Sequence, residues 1–429
     1  MRILVLGINY WPEETGIGPF NTGRCEYLAA QGHDVTMCTA LPYYPQWRVP
    51  PAYRRRPFAV EERNGVRILR CPLYVPAHAT PARRIVHEAS FVAAACLRSL
   101  AAQRPDVLVT VSPPLGLGLA SLLLSRLWRV PFLLHVPDLQ PDAAADLGML
   151  PPGRLLRLLY AVERTSYRAA ACVSTLTESM RERIVAKGLP AEKVVLLPDW
   201  ADPALFDVPA AGGSTFRRAH GIGAQFLAVH CGNMGVKQGL DVILAAAERT
   251  DPGRVLYVLV GDGAERPALE AAARARGIRA VRFLPLQPKA AFLDLLAAAD
   301  VALVTQQRTV ADIVFPSKVL TLLAAARPVI ASVAATSEVA RVVAQAEAGA
   351  VVAPEDPEAL AAAVAALAAD PERRAAMARR GREYARRTWE RSRALAEMAA
   401  RITTIVAAHR SRQPIALPHP SLTVDEGGS

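Results

Sequence analysis

Short, predominantly apolar runs without strict alternation recur along the first half of the chain: RILVLGI (2–8), DVTMCTA (34–40), VRILRC (66–71), DVLVTV (106–111), PFLLHV (131–136) and ACVST (171–175). A strand wetted on one face alternates apolar and polar positions. Runs without alternation belong to a parallel sheet covered by helices on both faces. Stretches of helical length lie between them, near 20–31 and 81–103. Strands alternating with helices in this way predict βαβ units. A second series follows: FLAVHCG (226–232), VLYVLVG (255–261), AVRFLP (280–285), DVALVT (300–305), PVIAS (328–332) and GAVVA (349–353), separated by Ala-rich helices such as GAERPALEAAARARG.

The predicted fold class is therefore α/β, with two doubly wound, Rossmann-like domains. The reading places a first domain at 1–205 and a second at 223–385, joined by a linker at 206–222 within the Pro-, Gly- and Ala-rich PALFDVPAAGGSTFRRAHGI. RRTWERSRALAEMAARITTIVAAHR predicts one amphipathic helix over 386–410. The stretch 411–429 has little periodicity and several prolines, which predicts disorder.

Composition narrows the classes. No apolar run reaches the roughly 20 residues of a membrane span; the nearest, 115–136, is interrupted by Arg126 and Arg129. MRILVLGINYW reads as a first strand rather than a signal peptide, so a cytoplasmic protein is expected. Six cysteines without a CxxC pair, mostly among apolar neighbours, predict reduced core thiols and neither a disulfide frame nor a zinc site. The net charge is +11, and between Arg48 and Arg104 eleven Arg stand against three Glu, a local +8 interleaved with aromatics such as Tyr53 and Phe58. Such a segment is either a solvated face or a contact for an anionic membrane surface. No nucleic-acid module accompanies it.

Ligands of doubly wound sheets bind beyond the carboxyl ends of the strands, so the loops after strands are the candidate chemistry. NYWPEETGIGPF (9–20) sets Gly16 and Gly18 at a bend just before a helix, whose free backbone N–H groups suit a phosphate or sugar. It also fits a plain strand-to-helix turn, and it lacks the GxGxxG of a dinucleotide site. HCGNMGVKQGL (230–240) offers Gly232, Asn233 and Gly235, with Lys237 expected at a helix start, a diphosphate trap or a solvated lysine. VGDGAERPAL repeats the device with Gly261, Asp262 and Gly263. In ADIVFPSKVLTLLAAARPVIAS, Pro316 is placed to open a helix, with Ser317 and Lys318 in its first turn. A lysine there opposes the helix dipole unless an anion lies in front of it. LHVPDLQPDAAADLGML places His135, Asp138 and Asp142 after a strand, where His135 is either a core histidine or a group that positions a hydroxyl.

Taken together, YWPEETGIG, GHDV (32–35), HVPDLQPDAA, VSTLTESMRERIVAKG, GNMGVKQGL, GDG and FPSKVLTLLAA resemble the GT-B, family-4 retaining glycosyltransferases, in particular their WcaI-like branch of colanic-acid type exopolysaccharide biosynthesis. The resemblance covers roughly 1–410. It implies two domains facing across a cleft, with TWERSRALAEMAARI as the helix that crosses back to the first. It implies a nucleotide-diphosphate sugar, GDP- or UDP-linked, on the second domain and a lipid-linked saccharide acceptor on the first. No cofactor and no metal are expected, and the setting is the inner face of the cell membrane.

By position, the resemblance sets Gly16 and Gly18 near the diphosphate and sugar, Lys237 on the diphosphate, Lys318 at sugar or phosphate, and Gly261 and Gly263 beside the nucleoside. It puts Leu286 and Gln287 in the loop that meets the base, and Asp312 near the first Glu of the family's E-x7-E pattern. Pro316 and Ser317 would meet sugar or phosphate. The second Glu, which grips the ribose in relatives, is Thr321 here, and Asn233 and Met234 stand where an Arg usually precedes the phosphate lysine. The family histidine has no single equivalent: either Pro137 or His135 aligns with it. Another GT-B enzyme, such as a nucleotide-sugar epimerase, and a catalytically silent binding partner remain as alternative readings.

Overall fold

The computed structural model describes residues 1–77, 80–146, 150–308 and 317–411. The chain divides into two compact units: Met1–Asp199 with the segment from Leu395, and Trp200–Ala394.

The first unit is built on eight strands: β1 (Arg2–Leu6), β2 (Asp34–Ala40), β3 (Val60–Arg63), β4 (Val66–Cys71), β5 (Val107–Val111), β6 (Phe132–Val136), β7 (Cys172–Thr175) and β8 (Val194–Leu196). Their order is β3-β4-β2-β1-β5-β6-β7-β8. β3 runs antiparallel to β4; the other pairings are parallel. The mainly apolar runs follow from this, since β5, β6 and β7 are buried along their whole length. The direction of winding reverses between β1 and β5, which makes the loops after those strands the crevice of this sheet.

The second unit carries β9 (Phe226–Cys231), β10 (Val255–Val260), β11 (Val281–Leu284), β12 (Val301–Thr305), β13 (Val329–Ser332) and β14 (Gly349–Val352). They form one parallel sheet in the order β11-β10-β9-β12-β13-β14, so its reversal lies between β9 and β12. Helix starts are set locally: Asp356 accepts from the Ala359 amide at 2.9 Å, Ser337 caps Ala340, and Thr177 caps Met180 in the first unit.

Two predicted segments take a different form. The stretch read as a linker holds a 3₁₀ turn, Pro203–Asp207, and a helix, Ala210–Ala219. Gly212 and Gly213 serve packing there: a Cβ on Gly213 would stand 2.8 Å from the Ala297 carbonyl oxygen of the helix Lys289–Ala298. The single helix expected over 386–410 is two, Pro371–Trp389 and Arg391–Ser411, parted at Glu390 (ψ 132°). The Trp389 carbonyl accepts from the Ala201 amide at 2.9 Å instead of continuing the helix. Met398, Ile402, Ile405 and Val406 of the last helix lie in the core of the first unit with Ile3, Val5, Val107 and Cys172. The tail expected to be disordered lies beyond the described residues.

The described cysteines are free thiols; Cys38 and Cys71 approach to 3.5 Å inside the core. Among the described residues no helix is long and apolar enough to cross a membrane.

Candidate active site

The second unit gathers most of the predicted donor residues at the carboxyl end of its sheet. The loops after β11, β10 and β9 are neighbours because those strands are neighbours. They are stitched together by backbone bonds: Gly232 donates to Val260 (2.8 Å), Gly261 to Leu284 (3.1 Å), Met234 to Asp262 (2.8 Å) and Glu265 to Met234 (2.9 Å). Side chains at 261 and 263 would collide with the backbones of Gly232 and Met234, so these glycines are required by close approach of the two loops. The Asp262 carboxylate is turned onto the next amide, accepting from Gly263 at 2.8 Å.

Lys318 enters this end from the other side of the reversal. It sits in the first turn of the helix Ser317–Ala324 and lies over Gly232, with Nζ 3.1 Å from where a Cβ of that glycine would be. Burial pushes its ammonium below the usual lysine range, with the neighbouring Cys231 thiol acting in the opposite direction. Gly232, Lys318, Thr321, Leu286 and Gln287 line one cleft of about 610 Å³, with Cys231 and Phe292 on its wall and the Lys289–Asp202 ion pair (2.6 Å) beside it. Leu286 is 72% exposed, an apolar surface at the mouth, and the Gln287 amide donates to the Pro285 carbonyl at 2.7 Å.

Lys237 is exposed, in a 3₁₀ turn, Val236–Gln238. The helix expected to start at this lysine begins at Asp241, because Gly239 in the left-handed region (φ 55°) turns the chain first. Gly235 donates to the Gln238 side chain at 3.1 Å, and Asn233 is exposed. Asp312 and Pro316 lie outside the described residues, and Ser317 is placed as the first residue of its helix.

In the first unit, the β1 loop is held by a carboxylate that the sequence reading passed over. Glu13 is 6% exposed; its Oε1 accepts from the amides of Tyr43 and Tyr44 and its Oε2 from Asn9, each at 2.8 Å. Burial raises its pKa against those bonds. Gly16 takes φ +65°, and Gly18 opens the helix Gly18–Ala30 with its Cα packed on the Glu13 carbonyl, where a Cβ would come to 2.8 Å. No side chain caps that helix at Ile17.

His135 lies within β6 rather than after it. Its Nε2 faces the Arg24 guanidinium at 3.0 Å and its Nδ1 faces Ser174 Oγ at 2.9 Å. Arginine only donates, so Nε2 accepts and Nδ1 carries the proton. Burial first, and Arg24 second, hold this imidazole neutral, its pKa well below the ordinary value. Arg24 is also ion-paired to Asp199, whose pKa burial nevertheless raises. The structure thus gives His135 a buried bridging place between Arg24 and Ser174. Asp138 is half-buried in the bend after β6, and Asp142 is ion-paired to Lys187, which also holds the buried Glu163 at 2.6 Å.

The basic segment is partly internal. Arg70 is fully buried and paired to Glu61 at 2.7 Å, and Tyr43 and Phe91 are core residues. Exposed apolar side chains remain among the cations: Ile85 and Val86 next to Arg83 and Arg84, and Phe58 (56% exposed) beneath Arg98.

Residues 15–200 match the Glycosyl transferase 4-like domain, and residues 214–384 match the Glycosyl transferases group 1 domain. WcaI of Escherichia coli (strain K12), named for colanic acid biosynthesis as a glycosyl transferase, is 35% identical over 92% of this chain and 98% of its own. The chain belongs to the family-4, group 1 glycosyltransferases, in their WcaI-like branch. Its fold is GT-B. Anabaena HepE in complex with UDP superposes with a TM-score of 0.69 at 16% identity, over 94% of this chain and 100% of that one, and HepE is also known with UDP-glucose. Sucrose-phosphate synthase of Thermosynechococcus elongatus superposes at 0.72, with 20% identity over 95% and 99% of the two chains. This GT4 glycosyltransferase has glycine-rich loops after β9 and β10, and the Lys318 helix follows β12 beside the reversal of its second sheet.

Proposed function

We propose that this glycosyltransferase moves a sugar, with retention, from a GDP- or UDP-linked donor to a lipid-linked saccharide during assembly of a colanic-acid type or related surface polysaccharide. The observation that carries this reading is Lys318 folded over Gly232 at the reversal between β9 and β12, a cation against bare backbone at the site where doubly wound sheets hold phosphate. The UDP and UDP-glucose held by HepE and the biosynthetic role named for WcaI support it.

In this reading Lys318 and Lys237 neutralise the diphosphate, and Gly16 and Gly18 offer bare backbone to the diphosphate and sugar. Gly232, Asn233 and Gly235 supply close backbone, with Pro316 and Ser317 at the sugar or phosphate. Gly261, Asp262 and Gly263 flank the nucleoside, Leu286 and Gln287 meet the base, Asp312 touches the donor sugar, and Thr321 takes the place of the ribose-gripping Glu. Asp138 stands on the acceptor side. Front-face attack breaks the bond between C1 and the diphosphate oxygen while the acceptor oxygen bonds to C1. The acceptor proton passes to the departing phosphate. Charge grows on the diphosphate, which is where lysines lower the barrier. The segment from Arg48 to Arg104 lays Ile85, Val86 and Phe58 with their arginines on the inner face of the cell membrane.

The test is a thermal-shift screen of UDP, GDP and their sugars, followed by transfer to extracted lipid acceptors. Stabilisation by one nucleotide family, lost in Lys318→Ala, is expected. No turnover of any donor would return the chain to a silent binding partner, and free sugar released without acceptor would point to an epimerase.

A further inference from the structure

The sheet of the first unit has a second working end. At the amino ends of β1, β5 and β6 lies a pocket of about 370 Å³ lined by Arg2, Arg104, Arg129, His409 and Arg410, with Asp106 as its one acid. Asp106 is already engaged: it accepts from the Arg2 amide at 2.8 Å and from the Arg410 guanidinium at 2.7 Å. The lining is fastened by side-chain bonds to its own carbonyls, Arg2 Nη1 to the Arg104 carbonyl (3.4 Å) and His409 Nε2 to the Arg129 carbonyl (3.1 Å). Among the described residues neither Arg104 nor Arg129 has an acidic partner. His409 and Arg410 in the last turn of the helix Arg391–Ser411 offset the negative end of its dipole. Arg2, Arg104 and Arg129 remain unbalanced.

Arg129 adds an independent observation. It caps the helix Leu117–Trp128 in the left-handed conformation, φ 54° and ψ 52°. That position is usually glycine, because a Cβ is strained there. Here a strained site holds an arginine, and that arginine borders a pocket short of negative charge. The guanidinium fork matches phosphate oxygens two at a time.

We propose that this pocket binds a phosphate-bearing anion, and that the bound anion fastens the C-terminal helix to the amino end of the first sheet. The source is a free phosphate compound or a phospholipid headgroup; both present the same oxygens. Hydrogen exchange on the full chain reads the site locally, apart from the donor cleft. At low ionic strength, inorganic pyrophosphate or phosphatidylglycerol vesicles slow exchange in 401–411 about tenfold or more, and the probe that does so names the source. Arg104→Gln/Arg129→Gln loses that protection with an unchanged circular dichroism spectrum. Arg129→Gly is diagnostic, because relief of strain makes it more stable than the parent without anion, yet it loses the response. Protection retained in either variant, or absent from the parent with both probes, overturns the proposal.

Discussion

Gly261 and Gly232 are pressed together so closely that a Cβ on Gly261 would come within 2.8 Å of the Gly232 carbonyl carbon. The neighbour is backbone, tied by the bond from Gly232 to Val260, so it cannot swing away as a side chain would. Gly261→Ala therefore costs about 3 kcal/mol or more, combining strain at a glycine-only φ with displacement of the β9 loop. Urea unfolding measures it. Gly277→Ala, at φ +63° with open space around it, costs only about 1 kcal/mol and serves as the control.

Lys318 should weigh on rate more than on folding. Removing its charge with Lys318→Met keeps most of the side-chain volume over Gly232. The expected loss is about 10²-fold in kcat, on the order of 3 kcal/mol of transition-state stabilisation. Lys237→Ala, at an exposed position, should give a similar loss without lowering stability. Nucleotide release under saturating donor measures both, and unchanged turnover in the double variant removes the site assignment.

His230 makes the second unit acid-sensitive. Burial and the Lys318 charge push its imidazole down to about 3. The unfolded chain takes up this proton near pH 6.5, while the folded chain stays unprotonated. Unfolded protein binds more protons across that window, so stability falls as pH falls. Between pH 7 and 5 the advantage of the parent over His230→Gln shrinks by about 2 kcal/mol, read from urea unfolding at the two pH values. His135, held neutral beneath Arg24, contributes with the same sign in the first unit.

Charge reversal at Arg54, Arg55, Arg83 and Arg84 should release the chain from anionic vesicles. Each basic residue near such a surface contributes about 1 kcal/mol, so a weakening of about 10³-fold or more is expected. Raising salt from about 0.05 to 0.5 M should weaken the parent in the same direction. Vesicle co-sedimentation checks both, and binding indifferent to charge and salt makes this a solvated face.

The sheets were legible because parallel strands buried on both faces leave apolar runs. β3 escaped because VEER is a charged edge strand, and β8 because three residues carry too little pattern. Gly212 and Gly213 misled for a physical reason: composition cannot tell a glycine that frees a chain from one that lets two helices touch. The break at Glu390 depends on a bond from Ala201, nearly two hundred positions away. Gly232 and Lys318, which line one cleft, stood out in the sequence by residue type. Glu13 did not, because its meaning lies in the Tyr43 and Tyr44 amides that fold back onto it.

The bond between Ala201 and Trp389 has an evolutionary corollary. It draws the entrance and exit of the second unit together, so that unit behaves as a cassette threaded into an otherwise continuous host. Exchange of this unit between relatives would need two crossovers rather than one, at two seams that are already neighbours.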